Sequence, residues 1–214
     1  MRAVIVAHGD AVAADRAVAA AADLLVAADG GALQCARWGL IPGIVVGDLD
    51  SLDPDRAEQL SRQGVLVSVS PPDKDESDTE LAVSAAFERG ADDLVLLAAL
   101  GGDRPDHELA NILLLADVRH AGRVRAVRGG TVLRALHGGG RLALSGAPGD
   151  IVTLLPLGDA AGVTTQGLRY PLRGEPLRGG AARGLSNVVE RAGASVALDA
   201  GVLIIIEIAH GGRT

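Results

Sequence analysis

Aromatic residues are almost absent from this 214-residue sequence, which has one Trp, one Tyr and one Phe. Because 48% of the residues are hydrophobic, the chain can still bury a sizeable core, and that core must be aliphatic. Cysteine is equally scarce. Cys35 stands alone, so an intrachain disulfide is excluded and a reducing compartment is favoured.

Long apolar runs and an excess of basic residues are also missing. No run approaches the roughly 18 apolar residues of a membrane span, and the opening apolar run is too short for a signal peptide. The net charge of −7 argues against nonspecific binding to nucleic acid, which needs a basic surface. We therefore expect a cytoplasmic protein that binds neither a membrane nor nucleic acid.

The first half of the chain alternates apolar runs with helical patterns. Five runs have the length and bulk of buried parallel strands: residues 3–7, 24–28, 44–46, 65–69 and 94–100. Helices are expected over residues 11–22, 32–38, from an Asp53-Pro54 start, from the Ser77 region to about residue 89, and over 106–120. This alternation predicts an α/β domain with a Rossmann-like parallel sheet and helices on both faces.

Two of these helices make more specific predictions. Gly39 is expected to end the second helix. In the last helix Leu109, Ile112, Leu113 and Ala116 recur at i, i+3, i+4 and i+7, and Leu114 and Leu115 widen this stripe. Such a stripe is typical of a helix face that packs into the core.

The pattern changes after residue 122. Short apolar segments separated by Gly, Pro and Ser follow one another, and helical periodicity is absent. This predicts a C-terminal all-β domain of small antiparallel strands. We therefore divide the chain into an α/β domain, residues 1–122, and a β-sandwich domain, residues 123–214.

Two aspartates after the third predicted strand are the most informative feature. Asp48 and Asp50 are two residues apart, so their side chains leave the same face of an extended chain. Neighbouring carboxylates repel each other unless a cation lies between them. Ligands of open α/β sheets collect at the carboxyl ends of the strands, so the pattern predicts a Mg²⁺ site and phosphate chemistry. The alternative is an ordinary turn, in which Asp is common.

Two further polar clusters follow predicted strands. Lys74 lies among the carboxylates of residues 73–78, where an ammonium group suits a polyphosphate, although a solvated loop and helix cap would look similar. Gly101 and Gly102 would let a phosphate approach the backbone before the helix that begins near Asp106 and His107. Asp106 and His107 are also ordinary first-turn residues. All these clusters are expected to meet at one edge of the sheet.

The C-terminal half offers fewer candidates. Ser186 and Asn187 can recognise a polar heterocycle through neutral hydrogen bonds, and an ordinary β-turn is the alternative. His8, His137 and His210 have no partner at a metal-ligand spacing, so we interpret them as surface or core residues.

Five short motifs together resemble the thiamine pyrophosphokinase family, in its bacterial type. They are ADGGA (28–32), GDLDS (47–51), KDESD (74–78), DHELAN (106–111) and RGLSN (183–187). The resemblance implies transfer of the pyrophosphoryl group of ATP to the hydroxyl of thiamine, which gives thiamine diphosphate and AMP and requires Mg²⁺. It also implies a homodimer whose N-terminal domain is α/β and binds the nucleotide, and whose C-terminal β-sandwich binds thiamine and forms the dimer.

The resemblance further implies roles for individual residues. Asp48 and Asp50 would hold Mg²⁺ and orient the thiamine hydroxyl, and Asp75 and Asp78 would add carboxylates around the metal. The residues expected near the nucleotide and its phosphates are Asp29, Lys74, Gly101, Gly102, Arg104, Asp106 and His107. Ser186 and Asn187 would reach the thiamine or nucleotide site of the other subunit. The family usually has GGRxDH where this sequence has one more residue, GGDRPDH.

Three alternatives remain open from the sequence. The acceptor could be another alcohol, such as a hydroxymethyl-pterin. The protein could instead be a Mg²⁺-dependent phosphohydrolase in which Asp48 is the phospho-accepting nucleophile. A dimer that senses a nucleotide without converting it is the non-enzymatic possibility.

Overall fold

The computed structural model describes residues 1–48, 54–71 and 73–210, and the chain divides into two compact units. The first unit consists of Met1–Leu114 and Ala126–Gly129, and the second of Leu115–Arg125 and the chain from Gly130 onward. Asp50, a predicted metal ligand, and Asp53, a predicted helix cap, lie outside the described residues.

The first unit is built on five parallel strands. They are β1 (Arg2–Val6), β2 (Leu24–Ala28), β3 (Ile44–Gly47), β4 (Leu66–Val69) and β5 (Asp93–Leu97). Their order in the sheet is β5-β1-β2-β3-β4, and every neighbouring pair is parallel. The predicted parallel pairing is confirmed, and it follows from strands that are apolar on both faces and separated by helices. The carboxyl ends of these strands therefore lie at the same edge of the sheet.

In the part of the chain that the structure describes, five helices alternate with these strands. They are α1 (Asp15–Ala20), α2 (Gly31–Trp38), α3 (Pro54–Arg62), α4 (Asp78–Glu88) and α5 (Pro105–Leu114). Gly39 ends α2 in the left-handed conformation, with φ of 69°, as the sequence predicts. The predicted start of α4 is also confirmed, because Ser77 and Glu80 form a reciprocal capping box.

Two helix predictions were wrong in extent. The first helix covers only part of residues 11–22, because Asp15 turns its carboxylate back to the Val12 N–H and serves the preceding loop. The last helix ends at Leu114 rather than at residue 120, and a separate 3₁₀ turn, Val118–His120, follows it. Asp117 starts that turn by accepting a hydrogen bond from the Arg119 N–H, which competes with continuation of the helix.

The predicted apolar stripe of α5 is buried only in part: Leu115, like Leu114, is buried, but two other leucines are not. Leu109 and Leu113 are 57% and 47% exposed, whereas Asn111 and Leu114 are buried. The Asn111 amide donates a 3.0 Å hydrogen bond to the Ala99 carbonyl, just beyond β5. A satisfied polar side chain thus lies on the buried face, while two leucines of the predicted stripe remain exposed.

The core of the first unit is aliphatic, as the composition requires. Ile5, Leu94 and Leu96 are fully buried in the central strands. Cys35 is packed with strand residues and Trp38 lies beside the same cluster. Burial raises the pKa of the Cys35 thiol to about 12, so this cysteine is a packing residue and not a nucleophile.

The rest of the chain is almost entirely strand. In chain order the strands are β6 (Val124–Arg128), β7 (Thr131–His137), β8 (Gly140–Ala143), β9 (Ile151–Pro156), β10 (Ala160–Gln166), β11 (Arg173–Leu177), β12 (Asn187–Val188), β13 (Ser195–Leu198) and β14 (Val202–Ile208). Within the second unit, β12-β9-β14-β7 and β11-β10-β13-β8 form two sets of antiparallel neighbours. The predicted antiparallel character is confirmed.

A buried ion pair anchors the second unit. Glu207 is 4% exposed and forms a close ion pair with Arg134. Its carboxylate also accepts hydrogen bonds from the Ser145 N–H at 2.7 Å and the Gly146 N–H at 2.9 Å. The charge is therefore paired and its oxygens are satisfied, which is what makes burial of a carboxylate tolerable. Across both units, no helix among the described residues is long and apolar enough to cross a membrane.

Candidate active site at the carboxyl ends of the strands

A cleft of about 730 Å³ opens in the first unit. Its walls come from the segments that follow β1, β2, β3 and β5 and from the first turns of α4 and α5. The residues singled out in the sequence that line it are Asp29, Asp48, Lys74, Asp78, Gly101, Gly102, Arg104, Asp106 and His107. Parallel pairing of the strands brings these distant residues to one edge of the sheet.

Three carboxylates from three different elements meet in this cleft. One oxygen each of Asp29, Asp48 and Asp78 lies within 4.8 Å of the others. Asp29 follows β2, Asp48 follows β3 and Asp78 is the first residue of α4. Asp29 is 8% exposed, and its Oδ1 is buried without a hydrogen-bond partner among the described residues. Three converging carboxylates with an unbonded buried oxygen fit a hard divalent cation such as Mg²⁺.

The backbone at Asp29 has an uncommon conformation. Asp29 has a φ of 42°, in the left-handed region that few non-glycine residues adopt. Its N–H donates a 2.7 Å hydrogen bond to the Val46 carbonyl of β3, which fixes the turn. A Cβ at Gly47 would lie 3.0 Å from the Asp29 Cβ, so glycine makes room for this aspartate. Strain held by several neighbours is typical of functional sites.

The cluster before α4 serves as both helix cap and cleft wall. The Ser77 hydroxyl accepts a hydrogen bond from the Glu80 N–H, and Lys74 Nζ lies 2.7 Å from Asp78 Oδ1. Asp78 is therefore held by the helix start and by an ion pair. Asp75 is exposed and is not among the cleft-lining residues, whereas its neighbour Glu76 is.

The loop after β5 contains two glycines and an arginine that is paired with a nearby aspartate. Gly101 and Gly102 have φ values of 73° and 91°, so only glycine fits this turn without strain. The Arg104 guanidinium contacts Asp106 with two hydrogen bonds, of 3.0 and 2.6 Å, and both side chains are exposed. This bond to Arg104 lowers the pKa of the Asp106 carboxyl to about 2.

The candidates in the second unit, Ser186 and Asn187, form hydrogen bonds to neighbouring groups of the protein. Asn187 is 8% exposed, and its Oδ1 accepts hydrogen bonds from the Tyr170 N–H at 3.0 Å and the Val188 N–H at 2.9 Å. Its Nδ2 donates to the Tyr170 carbonyl at 2.7 Å. Ser186 has a φ of 55° and donates its N–H to the Thr153 hydroxyl. The Asn187 amide thus fixes the backbone of Tyr170, whose side chain is exposed.

The sequence interpretation did not assign His8 to the site. His8 was interpreted as a surface or core residue, and it is exposed and lines the cleft. The signal was its position directly after β1, whose carboxyl end shares the edge with β2 and β5. Tyr170 stands out from the sequence itself, as the only aromatic residue of the second unit.

Two protein-family models match the chain, one for each part. "Thiamin pyrophosphokinase, catalytic domain" matches residues 16–126, and "Thiamin pyrophosphokinase, vitamin B1 binding domain" matches residues 141–203. The catalytic-domain model alone covers more than half of the chain. The architecture defines an α/β protein with an acidic cleft at the carboxyl ends of its parallel strands. More particularly, the chain belongs to the thiamin pyrophosphokinase family.

Individual relatives agree with this assignment. Thiamine pyrophosphokinase of Bacillus subtilis (strain 168) is 25% identical over 185 residues, 86% of each chain. Thiamine pyrophosphokinase 2 of Oryza sativa subsp. japonica is 28% identical, over 87% of this chain and 79% of the relative.

Solved structures share the fold along the whole chain. The thiamine pyrophosphokinase structure from Bacillus subtilis has a TM-score of 0.84 at 22% identity, and covers 99% of this chain and all of its own. A thiamin pyrophosphokinase family protein from Enterococcus faecalis has a TM-score of 0.85 at 23% identity, with the same coverage. The mixed α/β fold with a large sheet and a second, antiparallel sheet is therefore shared with these proteins.

Proposed function

We propose that this protein is a thiamine diphosphokinase, which transfers the pyrophosphoryl group of ATP to the hydroxyl of thiamine and forms thiamine diphosphate and AMP. Family membership supports the reaction and the acceptor. The structural observation that carries the proposal is the convergence of Asp29, Asp48 and Asp78 in one cleft. Neither a pterin acceptor nor a phosphohydrolase is supported by the comparisons with known proteins.

The three carboxylates are the proposed ligands of Mg²⁺. Asp50, outside the described residues, keeps its proposed role as a ligand that also orients the thiamine hydroxyl. Asp75 is proposed to contribute from the rim, since it is exposed. Bound Mg²⁺ would neutralise the charge of the phosphate oxygens and of the transition state.

The reaction asks the protein mainly for positioning. The thiamine hydroxyl oxygen forms a bond to the β-phosphorus of ATP, and the bond from that phosphorus to the α–β bridging oxygen breaks, releasing AMP. Lys74 and Arg104 are proposed to contact the phosphates, with Gly101 and Gly102 allowing close approach of the backbone. Because Arg104 is paired with Asp106 in the free protein, it must exchange that carboxylate for phosphate oxygens.

The nucleotide itself is proposed to lie against the start of α5. Asp106 and His107 line the cleft there, and Asp29 borders the same space. One of the cleft aspartates would accept the proton of the thiamine hydroxyl. Holding both substrates in reacting geometry is a large part of what such an enzyme contributes.

The second unit is proposed to bind thiamine. Thiamine carries a cationic thiazolium ring, and an exposed Tyr face attracts such a cation. Tyr170 offers that face on a backbone held by Asn187, beside Ser186. We further propose that residues 1–122 are a Rossmann-like nucleotide-binding domain, that residues 123–214 are a β-sandwich for thiamine binding and dimerisation, and that the protein is a homodimer.

Product analysis tests this function. Purified protein is incubated with ATP, Mg²⁺ and thiamine, with a control lacking thiamine. We expect equal amounts of AMP and thiamine diphosphate, formed only when thiamine is present. Phosphate release without thiamine would instead indicate a hydrolase, and ATP binding without any product would indicate a sensor.

Matched variants test the metal ligands in the same assay. Asp29→Asn keeps the shape of the side chain, and Asn tolerates a positive φ well, so the fold should persist. We expect it, like Asp48→Asn, to need at least about tenfold more Mg²⁺ for half-maximal rate. Asp73→Asn, an exposed aspartate that does not line the cleft, is the control and should behave as wild type. An unchanged Mg²⁺ requirement in a folded Asp29→Asn variant would remove Asp29 from the ligand set.

A further inference from the structure

The backbone on both sides of His8 and the glycine beside its ring hold this residue in the cleft. It follows β1, with the neighbouring backbone fixed on both sides: the Ala7 N–H donates to the Leu97 carbonyl at 2.9 Å and the Gly9 N–H to the Ala98 carbonyl at 2.6 Å. The imidazole packs against Gly30, where an added Cβ would lie 2.3 to 2.6 Å from three ring atoms. The absence of a side chain at Gly30 is therefore what makes room for the ring.

The acidic lining of the cleft leaves few nitrogen donors for a polyphosphate. Seven acidic side chains line it, against one lysine and one arginine among the described residues. Both cations are already engaged, Lys74 with Asp78 and Arg104 with Asp106. One N–H of the Asn111 amide donates to the Ala99 carbonyl. A polyphosphate entering this cleft thus finds few nitrogen donors that are not already bonded to the protein.

The His8 ring is one of those donors. Within the described residues it makes no hydrogen bond or ion pair, although it lines the same cleft as Asp29, Asp48 and Asp78. An imidazole ring carries at least one N–H donor, which can be offered to a phosphate oxygen. Gly30, which the ring contacts, directly follows Asp29 in the chain.

We propose that the imidazole of His8 donates a hydrogen bond to the polyphosphate of the nucleoside triphosphate and so positions it beside the carboxylates. This inference rests on the proposed function, because it assigns a new residue to the phosphate part of the same cleft. His8 is then a specificity residue for the phosphate donor and takes no part in binding the acceptor alcohol.

Binding of Mg²⁺-ATP without thiamine tests His8 independently of turnover. His8→Ala should weaken binding measured by calorimetry roughly tenfold, the size expected for loss of a hydrogen bond to a charged group. His8→Asn and His8→Gln, which keep an N–H donor, should recover most of the affinity of the wild type. His210→Ala, a histidine outside this unit, is the matched control and should bind as wild type.

Steady-state kinetics supply the second readout. We expect His8→Ala to raise the KM for ATP by a similar factor and to leave the KM for thiamine unchanged, which a general loss of packing would not do. ATP affinity within twofold of wild type in folded His8→Ala, or a rise confined to the thiamine KM, would overturn the inference. If the wild type binds ATP but forms no thiamine diphosphate, the proposed function fails. The calorimetric measurements on the His8 variants would then still test whether His8 binds the polyphosphate.

Discussion

The cleft shows how much one side chain's environment changes its chemistry. Asp29 and Asp106 are both aspartates of the same cleft, yet one is buried with an unbonded oxygen and the other is exposed and held by a guanidinium. The first is suited to a metal ion, because a cation relieves both its isolation and its repulsion from neighbouring carboxylates. Asp106 can give up its partner, since an exposed ion pair is weakly held and phosphate oxygens can take the place of the carboxylate on Arg104.

Arg104 should therefore control the titration of Asp106. In the free protein the Asp106 carboxyl is expected to titrate at about pH 2, and Arg104→Gln should return its pKa toward 3.8. Because the pKa is lowered in the folded state, the pair stabilises the fold above pH 3.8 and loses that effect as the pH falls toward 2. The carbon-13 shift of the Asp106 carboxyl, followed by NMR, measures this directly. A titration midpoint unchanged in Arg104→Gln would contradict the pairing.

Helix α5 shows that apolar periodicity can predict the presence of a helix, whereas packing determines which of its faces is buried. Its apolar spacing predicted a helix near residues 106–120, and a helix is present over Pro105–Leu114. The buried face was predicted only in part, because Asn111 bonds to a backbone carbonyl and is buried while Leu109 remains 57% exposed. Apolar spacing cannot reveal a carbonyl contributed by a loop twelve residues earlier.

Two substitutions on α5 distinguish these orientations. Asn111→Leu should cost about 1–3 kcal/mol of unfolding free energy, because it leaves the buried Ala99 carbonyl without its donor. Leu109→Gln should change stability by no more than about 0.5 kcal/mol, as expected for an exposed position. Urea denaturation gives both values. The opposite ranking would restore the orientation that the apolar pattern predicts.

At the scale of the whole molecule, the two units depend on different interactions. The first rests on an aliphatic parallel sheet with full burial of residues such as Ile5 and Leu94, whereas the second also contains the buried Glu207–Arg134 pair. A buried pair is costly to break, because removing one partner leaves the other charge without compensation.

Glu207→Ala should accordingly destabilise the protein by about 3–5 kcal/mol, since Arg134 loses its partner and two backbone N–H groups lose their acceptor. Glu175→Ala, which removes a more exposed ion pair with Arg183, is the matched control and should cost about 0–1 kcal/mol. Chemical denaturation of the two variants measures the difference. Equal losses would show that the buried pair contributes no more than the exposed one.

The strands of the parallel sheet, the Ser77 cap and the end of α2 at Gly39 could be predicted from the sequence, because apolar periodicity and capping are local properties. The sequence also pointed to nine of the residues that line the cleft. Which of those residues meet depends on the tertiary structure. Asp29 joins Asp48 because β2 and β3 pair with Ala28 opposite Val46, and Asp78 joins them because of where α4 begins. His8 enters the same cleft through the missing side chain of Gly30. Such meetings depend on strand register and helix docking between distant segments, which no local spacing encodes.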